Sequence, residues 1–496
     1  MIMTKRRVSR RRFLQASSLA TGAVSARSSA LGTSPSAVYA ASENDLAVTR
    51  TLADWVVASR PGDIPAAVRQ EATRSLVNWV GCAVGGSRHE TVDRALQALL
   101  EFSGPPRATV LGRIERLDVL HAALMNGISS HVLDYDDTHL KTIIHPTGPV
   151  ASALLALSER RALSGADFLH AFILGTEVEC RIGNAVYPSH YDAGWHITGT
   201  AGVFGAAAAA GKILRLDERQ MTWALGIAAT QASGLREMFG TMCKSLHPGR
   251  AAQNGLASAF LASQNFTSSD RAIEAPRGFA RVLAREWNFS AITSGLGKTF
   301  ELSQNTYKPF PCGVVIHPVI DGCIQLRKEN LLEGAHIEAI TLRVHPLVLE
   351  LTGKKAPQSG LEGKFSVYHS AAVALVRGAA GEREYSDDEV RDPKIVAVRD
   401  RVMAAADPSV REDEAHLSIQ LRDGRRLEKH VEHAIGSIHR PMTDRDLEAK
   451  FRGLADGILP RGRIEKLLSL CWSVASLEDT GAIARASVPP GSSRKR

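Results

Sequence analysis

The chain has 496 residues, 44% of them hydrophobic and 23% charged, with a formal net charge of +8 and a mean hydropathy of -0.08. That length implies roughly two or three domains rather than one core, and the composition is that of a soluble globular protein. Residues 1–41 hold seven Lys/Arg and no acid, which leaves about +1 for the rest and excludes a basic nucleic-acid face.

The N-terminus reads as an export signal. Ser9-Arg10-Arg11-Arg12-Phe13-Leu14-Gln15 resembles the twin-arginine motif, and residues 16–26 form a weakly apolar run too short to span a bilayer. Val38-Tyr39-Ala40 offers a small-residue cleavage site. The expectation is a signal peptide over 1–40 read by the twin-arginine export machinery, a periplasmic or secreted location, and no stable membrane anchor.

From 45 to 305 the pattern is helical, with apolar positions at helical spacing in 64–84, 117–132, 150–162, 165–186, 198–214, 218–235 and 251–263. The Ala/Gly-rich run from Gly199 to Gly211 suits a helix surrounded by other helices. After Tyr307 prolines punctuate the chain, and β-like alternation marks 337–344, 417–421 and 427–433, with Asp423-Gly424 as a hairpin turn. Helical patterns at 318–329, 366–377 and 393–405 lie between them. Thr443 is placed to cap a new helix, and 463–472 continues the helical theme. The expected fold class is therefore mainly α: a large all-helical domain, discontinuous in sequence (45–305 and 440–482), and a smaller inserted α+β lid domain (306–439). Residues 483–496 are expected to be disordered.

The six cysteines are scattered without a C-x-x-C pair, as buried small hydrophobes would be. Chemistry concentrates elsewhere. Asp134-Tyr135-Asp136-Asp137-Thr138-His139 and His145-Pro146-Thr147-Gly148 crowd carboxylates, imidazoles and hydroxyls between two apolar helical segments. Charges there lose hydration, a cost tolerated mainly where they are paired or used. Gly194-Trp195-His196-Ile197-Thr198 puts a histidine at a helix N-terminus, where anions are favoured. Lys244-Ser245-Leu246-His247-Pro248-Gly249-Arg250 precedes another buried helix, Lys308-Pro309-Phe310-Pro311-Cys312 leads to His317-Pro318, and Phe365-Ser366-Val367-Tyr368-His369 opens a helix in the inserted domain. A lone histidine on an apolar face is more often a satisfied core residue, but five such segments are harder to dismiss together.

Other motifs fail on spacing. Gly205 to Gly211-Lys212 has five residues between the glycines where a phosphate loop has four, and Ile213 stands where Ser/Thr must hold magnesium. The Asp134 cluster lacks the glycine and glutamate of an EF-hand loop, although a metal site on Asp134, Asp136 and His145 stays open at this stage. There is no G-x-S-x-G elbow and no H-E-x-x-H. His430, His433 and His439 read as surface histidines of the hairpin and its exit.

Taken in order, these segments, with Gly436-Ser437-Ile438-His439-Arg440-Pro441-Met442-Thr443-Asp444 and Lys450-Phe451, resemble the MmgE/PrpD family, which includes 2-methylcitrate dehydratases and cis-aconitate decarboxylases. The resemblance runs from about 45 to 480. It implies a homodimer, an active site between the helical domain and the lid, and no metal or organic cofactor. It carries the catalytic pocket over to Asp134, Thr138, His145, His196, Lys244, His317 and Tyr368, with Arg250 a weaker candidate for gripping carboxylate. The expected activity is a hydro-lyase on a small di- or tricarboxylate. A decarboxylase or an epimerase is the nearer alternative, and a periplasmic carboxylate-binding protein without turnover the more distant one.

Overall fold

Residues 47–490 are described, in a computed structural model; the expected signal peptide over 1–40 lies outside them, as do residues 491–496. Helices dominate the first part of the chain: α1 (Val48–Ala58), α2 (Ala66–Gly86), α3 (Glu90–Leu99), α4 (Val119–His131), α5 (Thr147–Ser158), α6 (Gly165–Val186), α7 (Ile197–Leu214), α8 (Glu218–Ala229) and α9 (Cys243–Ser263). Side-chain caps fix several starts: Asp118 accepts from Leu120 N and His121 N, Ser164 from Asp167 N, and Asp217 forms a capping box with Gln220.

Small residues decide how closely these helices approach. α4 and α9 cross at Gly127 and Gly249, where a Cβ on Gly127 would stand 2.4 Å from Gly249 Cα. α7 is long and apolar enough to cross a membrane, yet 89% of that stretch is buried within the protein, against α5, α6 and α9. A helix with no polar stripe belongs in a core.

The next part holds α10 (His317–Asn330), α11 (Val367–Arg377), α12 (Pro393–Arg399) and the strands β1 (Ile337–Val344), β2 (Val402–Ala406), β3 (Ala415–Leu421) and β4 (Arg426–Val431). The sheet order is β2-β1-β3-β4. β1 runs parallel to β2 from Ile340↔Val402, while β1/β3 and β3/β4 are antiparallel. Gly424, at φ +89, supplies the left-handed residue of the β3–β4 turn. Every second residue of β3 is buried, as expected of a sheet covered on one face, here by α10. The apolar side chains of this region form their own cluster around Ile340, Leu342, Leu417 and Ile419.

The chain then returns to the helices through α13 (Asp444–Ala455), α14 (Arg461–Trp472) and α15 (Gly481–Ala486). Thr443 caps α13 with Asp446 as its reciprocal partner. Phe451 and Leu454 sit on Gly81 and Gly85 of α2. Lys450, buried on α13, donates to Asn78 Oδ1, Tyr135 O and Lys308 O at 2.8, 2.6 and 2.9 Å, tying the C-terminal helices to two site-bearing segments.

Four expectations are corrected. The segment 244–250 lies inside α9, which begins at Cys243; Pro248 only deprives the Lys244 carbonyl of a helical donor, and Gly249 serves the crossing with α4. The 218–235 helix stops at Ala229, and Leu235 instead bridges to Trp195. The 393–405 helix ends at Arg399, and its Ala-rich remainder becomes β2 because the open edge of β1 supplies backbone partners. The tail expected to be disordered from 483 is helical through Ala486, with Ile483 and Ala484 buried.

Candidate active site

The residues between α4 and α5 form a loop whose backbone is held from several sides. Thr138–His139 pairs antiparallel with Asn305–Thr306, and His139 binds Thr142 Oγ1 and Glu301 Oε2 at 2.7 and 3.1 Å. Asp134 sits at φ +52, a left-handed conformation that Asp tolerates better than most residues. Its carboxylate oxygen Oδ1 accepts from Lys244 Nζ on α9 and from Lys308 Nζ, both at 2.8 Å, and its carbonyl accepts again from Lys308 at 3.1 Å. Burial alone would raise the Asp134 pKa; the two ammonium groups hold it well below the carboxylate range. Burial lowers the Lys244 pKa and Asp134 opposes that. Two cations sharing one carboxylate leave a surplus of positive charge for an anionic ligand.

Next to this junction stands a cluster of imidazoles. His145 Nδ1 lies 2.8 Å from Asp137 O, 3.3 Å from Asp136 Oδ1 and 3.5 Å from Thr138 Oγ1. A carbonyl can only accept, so Nδ1 carries the proton and Nε2 is left for the cavity. The His145 N–H donates to Thr198 Oγ1 at the start of α7. His131 Nδ1 contacts Asp136 Oδ2 at 2.8 Å; burial pushes this histidine down to about 4, and its neighbouring imidazoles keep Asp136 ionised despite burial. His196 and His247 share one proton between their Nδ1 atoms at 2.8 Å, and burial lowers both, His247 to about 4.

Asp134, Thr138, His145, His196 and Lys244 thus line one cavity of about 40 Å³, together with Tyr191, Phe239, Lys308 and Phe365. Phe239 and Phe365 each approach Lys244 Nζ to 5.1 Å, roofing the lysine from two different parts of the chain. Two expected residues are placed elsewhere. His317 starts α10, is 3% exposed, and lines the adjoining cavity; its Nε2 has no hydrogen-bond partner among the described residues. Tyr368 belongs to the apolar cluster of the sheet region and lines neither cavity. Arg250 is exposed on α9 and bonded to Gln253.

Sequence reasoning named Asp136 only as a candidate metal ligand and passed over His131, His247 and Lys308 as site residues. Lys308 and His247 lay within segments already singled out, whereas His131, inside an apolar helix, carried the signature of a core histidine. Ligand atoms of His131, Asp134, Asp136 and His145 lie within 4.8 Å of one another. The donor set does not fit a divalent cation well, because two ammonium groups already occupy Asp134 and would repel it.

Family models for the MmgE/PrpD N-terminal domain and the MmgE/PrpD C-terminal domain match residues 50–292 and 310–474. The cis-aconitate decarboxylase of Aspergillus terreus is 28% identical over 462 residues, 87% of this chain and 94% of its own length. That of Homo sapiens is 28% identical over 454 residues, 88% and 93% respectively. The 2-methylcitrate dehydratase of Cupriavidus necator is 24% identical over 367 residues, 69% and 74%. The two domain matches follow one another along most of the chain: the chain belongs to the MmgE/PrpD family.

Proposed function

We propose that this chain is a lyase that removes carbon dioxide from a small unsaturated di- or tricarboxylate without a metal or organic cofactor. The observation that carries the reading is the junction of Lys244, Asp134 and Lys308 beside His145 and His196, all buried at one cavity. Decarboxylation is placed ahead of dehydration because the relatives named cis-aconitate decarboxylase align over 94% of their length and the dehydratase over 74%. This reverses the order expected from sequence.

In this scheme Lys244 and Lys308 hold one substrate carboxylate. The bond from carbon to a second carboxylate breaks, its electron pair stays on carbon, and carbon dioxide departs. The carbanion delocalises into the conjugated carboxylate, whose charge the same ammonium groups stabilise. His145, as imidazolium, hands its Nε2 proton to that carbon and returns to the neutral ring with Nδ1–H on Asp137 O; such proton transfer is worth about 10²–10⁴ in rate. Dehydration would use the same groups as base and acid in turn, and the 2-methylcitrate dehydratase relative keeps it as the second reading.

Export by the twin-arginine route and a homodimer belong to the same proposal, supported by Arg10-Arg11-Arg12-Phe13-Leu14 and by the family resemblance; cell fractionation and sedimentation test them. The activity is tested by a proton NMR time course in deuterated buffer with EDTA, using cis-aconitate, 2-methylcitrate, citrate and hydroxy-dicarboxylates. A vinyl product formed with loss of carbon dioxide is expected. A vinyl product formed with loss of water would reassign the chain to hydro-lyase chemistry, and silence from folded protein would make it a binding protein.

A further inference from the structure

Away from the Asp134 cavity, a second set of ligand groups converges on the sheet. Glu414 immediately precedes β3 and His416 lies two positions on, so the two side chains share one face. His416 stands directly opposite His430 of β4 in the antiparallel register, which brings such Cβ atoms to about 4.5–5.5 Å. This is the face of β3 away from its buried residues Leu417 and Ile419; His416 is half-buried and His430 exposed. Glu414 Oε1 lies 2.7 Å from His430 Nε2 and 3.2 Å from His416 Nε2. One ligand atom from each of the three residues lies within 4.8 Å of the others.

The carboxylate is aimed from behind. Its other oxygen, Oε2, accepts from Arg411 N at 3.2 Å and pairs with the Arg411 guanidinium at 3.3 Å, contacts of the kind that orient a ligating carboxylate. Both imidazoles reach Glu414 through Nε2, and no described residue holds either Nδ1, so the ring proton can move there and free Nε2 as a donor of its lone pair. The surrounding charge also suits a cation. Arg343 is paired with Asp407, Arg426 with Glu428, and Arg411 faces Asp413, Glu414 and Glu432 together, so the acids outnumber the guanidiniums. At Asp134 the balance is the reverse, with two ammonium groups on one carboxylate. Exposure deprives the hairpin cluster of tuned acid/base chemistry, but it leaves coordination positions open to water.

We propose that Glu414, His416 and His430 form a binding site for one divalent transition-metal ion of the zinc type, held by Glu414 Oε1 and both Nε2 atoms and completed by water. Two imidazoles and one carboxylate suit zinc and its neighbours, whereas magnesium and calcium take oxygen ligands. With bonds of about 2.0–2.2 Å, tetrahedral ligand atoms lie roughly 3.3 Å apart, near the oxygen–nitrogen separations already present. The two rings stack with an interplanar angle of 1°. Binding requires them to splay until both lone pairs meet one ion, a rotation open to side chains with solvent beside them. None of the three residues lines the Asp134 cavity or the one adjoining it, so the ion takes no part in the proton transfer. It clamps β3, β4 and the turn from Arg411 to Glu414 together.

The test uses the untagged full chain, stripped of metal with EDTA and freed of the chelator, then titrated with zinc chloride by calorimetry and with cobalt chloride in the visible range. The wild type is expected to bind one equivalent of zinc more than His416→Ala with His430→Ala, and to show cobalt bands that the variant lacks. Loss of a mere outer partner weakens metal binding about 10–100-fold, so loss of a ligand in Glu414→Gln is expected to weaken it by at least about tenfold. His430→Ala alone, which removes an exposed ring, is expected to lose the same equivalent, and its far-UV spectrum to match the wild type, which separates loss of a ligand from loss of the fold. Equal zinc stoichiometry in the wild type and in both histidine variants, or no binding by the wild type at millimolar zinc, would overturn the proposal.

Discussion

Two groups of histidines and carboxylates occupy this protein, and they differ in solvent rather than in contact distance. Around Asp136 the rings of His131 and His145 lie 4.7 Å apart, with His131 2.8 Å from the carboxylate and every member buried. At the β3–β4 hairpin the rings of His416 and His430 stack at 4.2 Å, with His430 2.7 Å from Glu414, and His433 lies 2.6 Å from Asp413. The second group is as well paired as the first, but His430 is exposed and water competes for each partner. In the first, burial holds the imidazoles of His131 and the adjacent His247 neutral down to about pH 4 and leaves Lys244, Lys308 and Asp134 to interact in a low dielectric. Proximity makes a contact; desolvation makes that contact chemically useful.

The comparison breaks most severely if Lys244 proves dispensable. Lys244→Met leaves Asp134 with Lys308 as its ammonium partner among the described residues and is expected to lower kcat/KM by about 10²–10³, read from steady-state kinetics on whichever acid the wild type turns over. A structural counterpart tests the close helix crossing that brings α9 to the site. Gly127→Ala forces a Cβ to within 2.4 Å of Gly249 Cα and is expected to destabilise the fold by about 1–3 kcal/mol, seen as a lower Tm and raised urea sensitivity.

Changing pH acts with opposite signs on the buried histidines and on two buried carboxyls. His131, His170, His190, His247 and His369 are lowered to about 4 and His317 to about 3, each chiefly by burial. Their contribution is complete above the ordinary histidine value near 6.5 and is lost as pH falls toward 4, because the unfolded chain then binds protons that the folded one refuses. Asp137 and Glu177, raised to about 7 by burial, act the other way: their stability is present below the ordinary carboxyl value and lost as pH rises through 7. The imidazoles outnumber them, so Tm is expected to climb between pH 4 and 6.5 and level off by about 7. A Tm unchanged from pH 7 to 4.5 would contradict the buried, neutral state of the imidazoles. The smallest effect belongs to the exposed group: His416→Ala with His430→Ala is expected to shift stability by no more than about 0.5 kcal/mol and leave kcat within about twofold.

Much of this was legible in the chain before any coordinates. The helix over Gly165–Val186 and the strand over Ile337–Val344 follow from periodicity and caps, and five of the seven expected site residues meet at one cavity. Pairings across long stretches were not legible. Lys244 and Lys308 reach Asp134 from 110 and 174 residues away, a distance no local pattern encodes. The strand over Val402–Ala406 was hidden for a related reason: its alanines favour helix, and only the neighbouring β1 makes the extended form better. Tyr368 is the converse case: motif order puts it with the pocket residues, while its ring packs in the apolar cluster of the sheet region.

The central claim is that His145, oriented through Nδ1 by Asp137 O, moves the proton at this site. The direct measurement is a proton NMR time course with EDTA present, comparing wild type and His145→Ala on the same acid, with ligand binding followed in parallel. The account predicts a vinyl product from the wild type, a rate at least about 10²-fold lower for the variant, and ligand binding retained by both. Equal rates, or activity abolished in the wild type by EDTA, would contradict it.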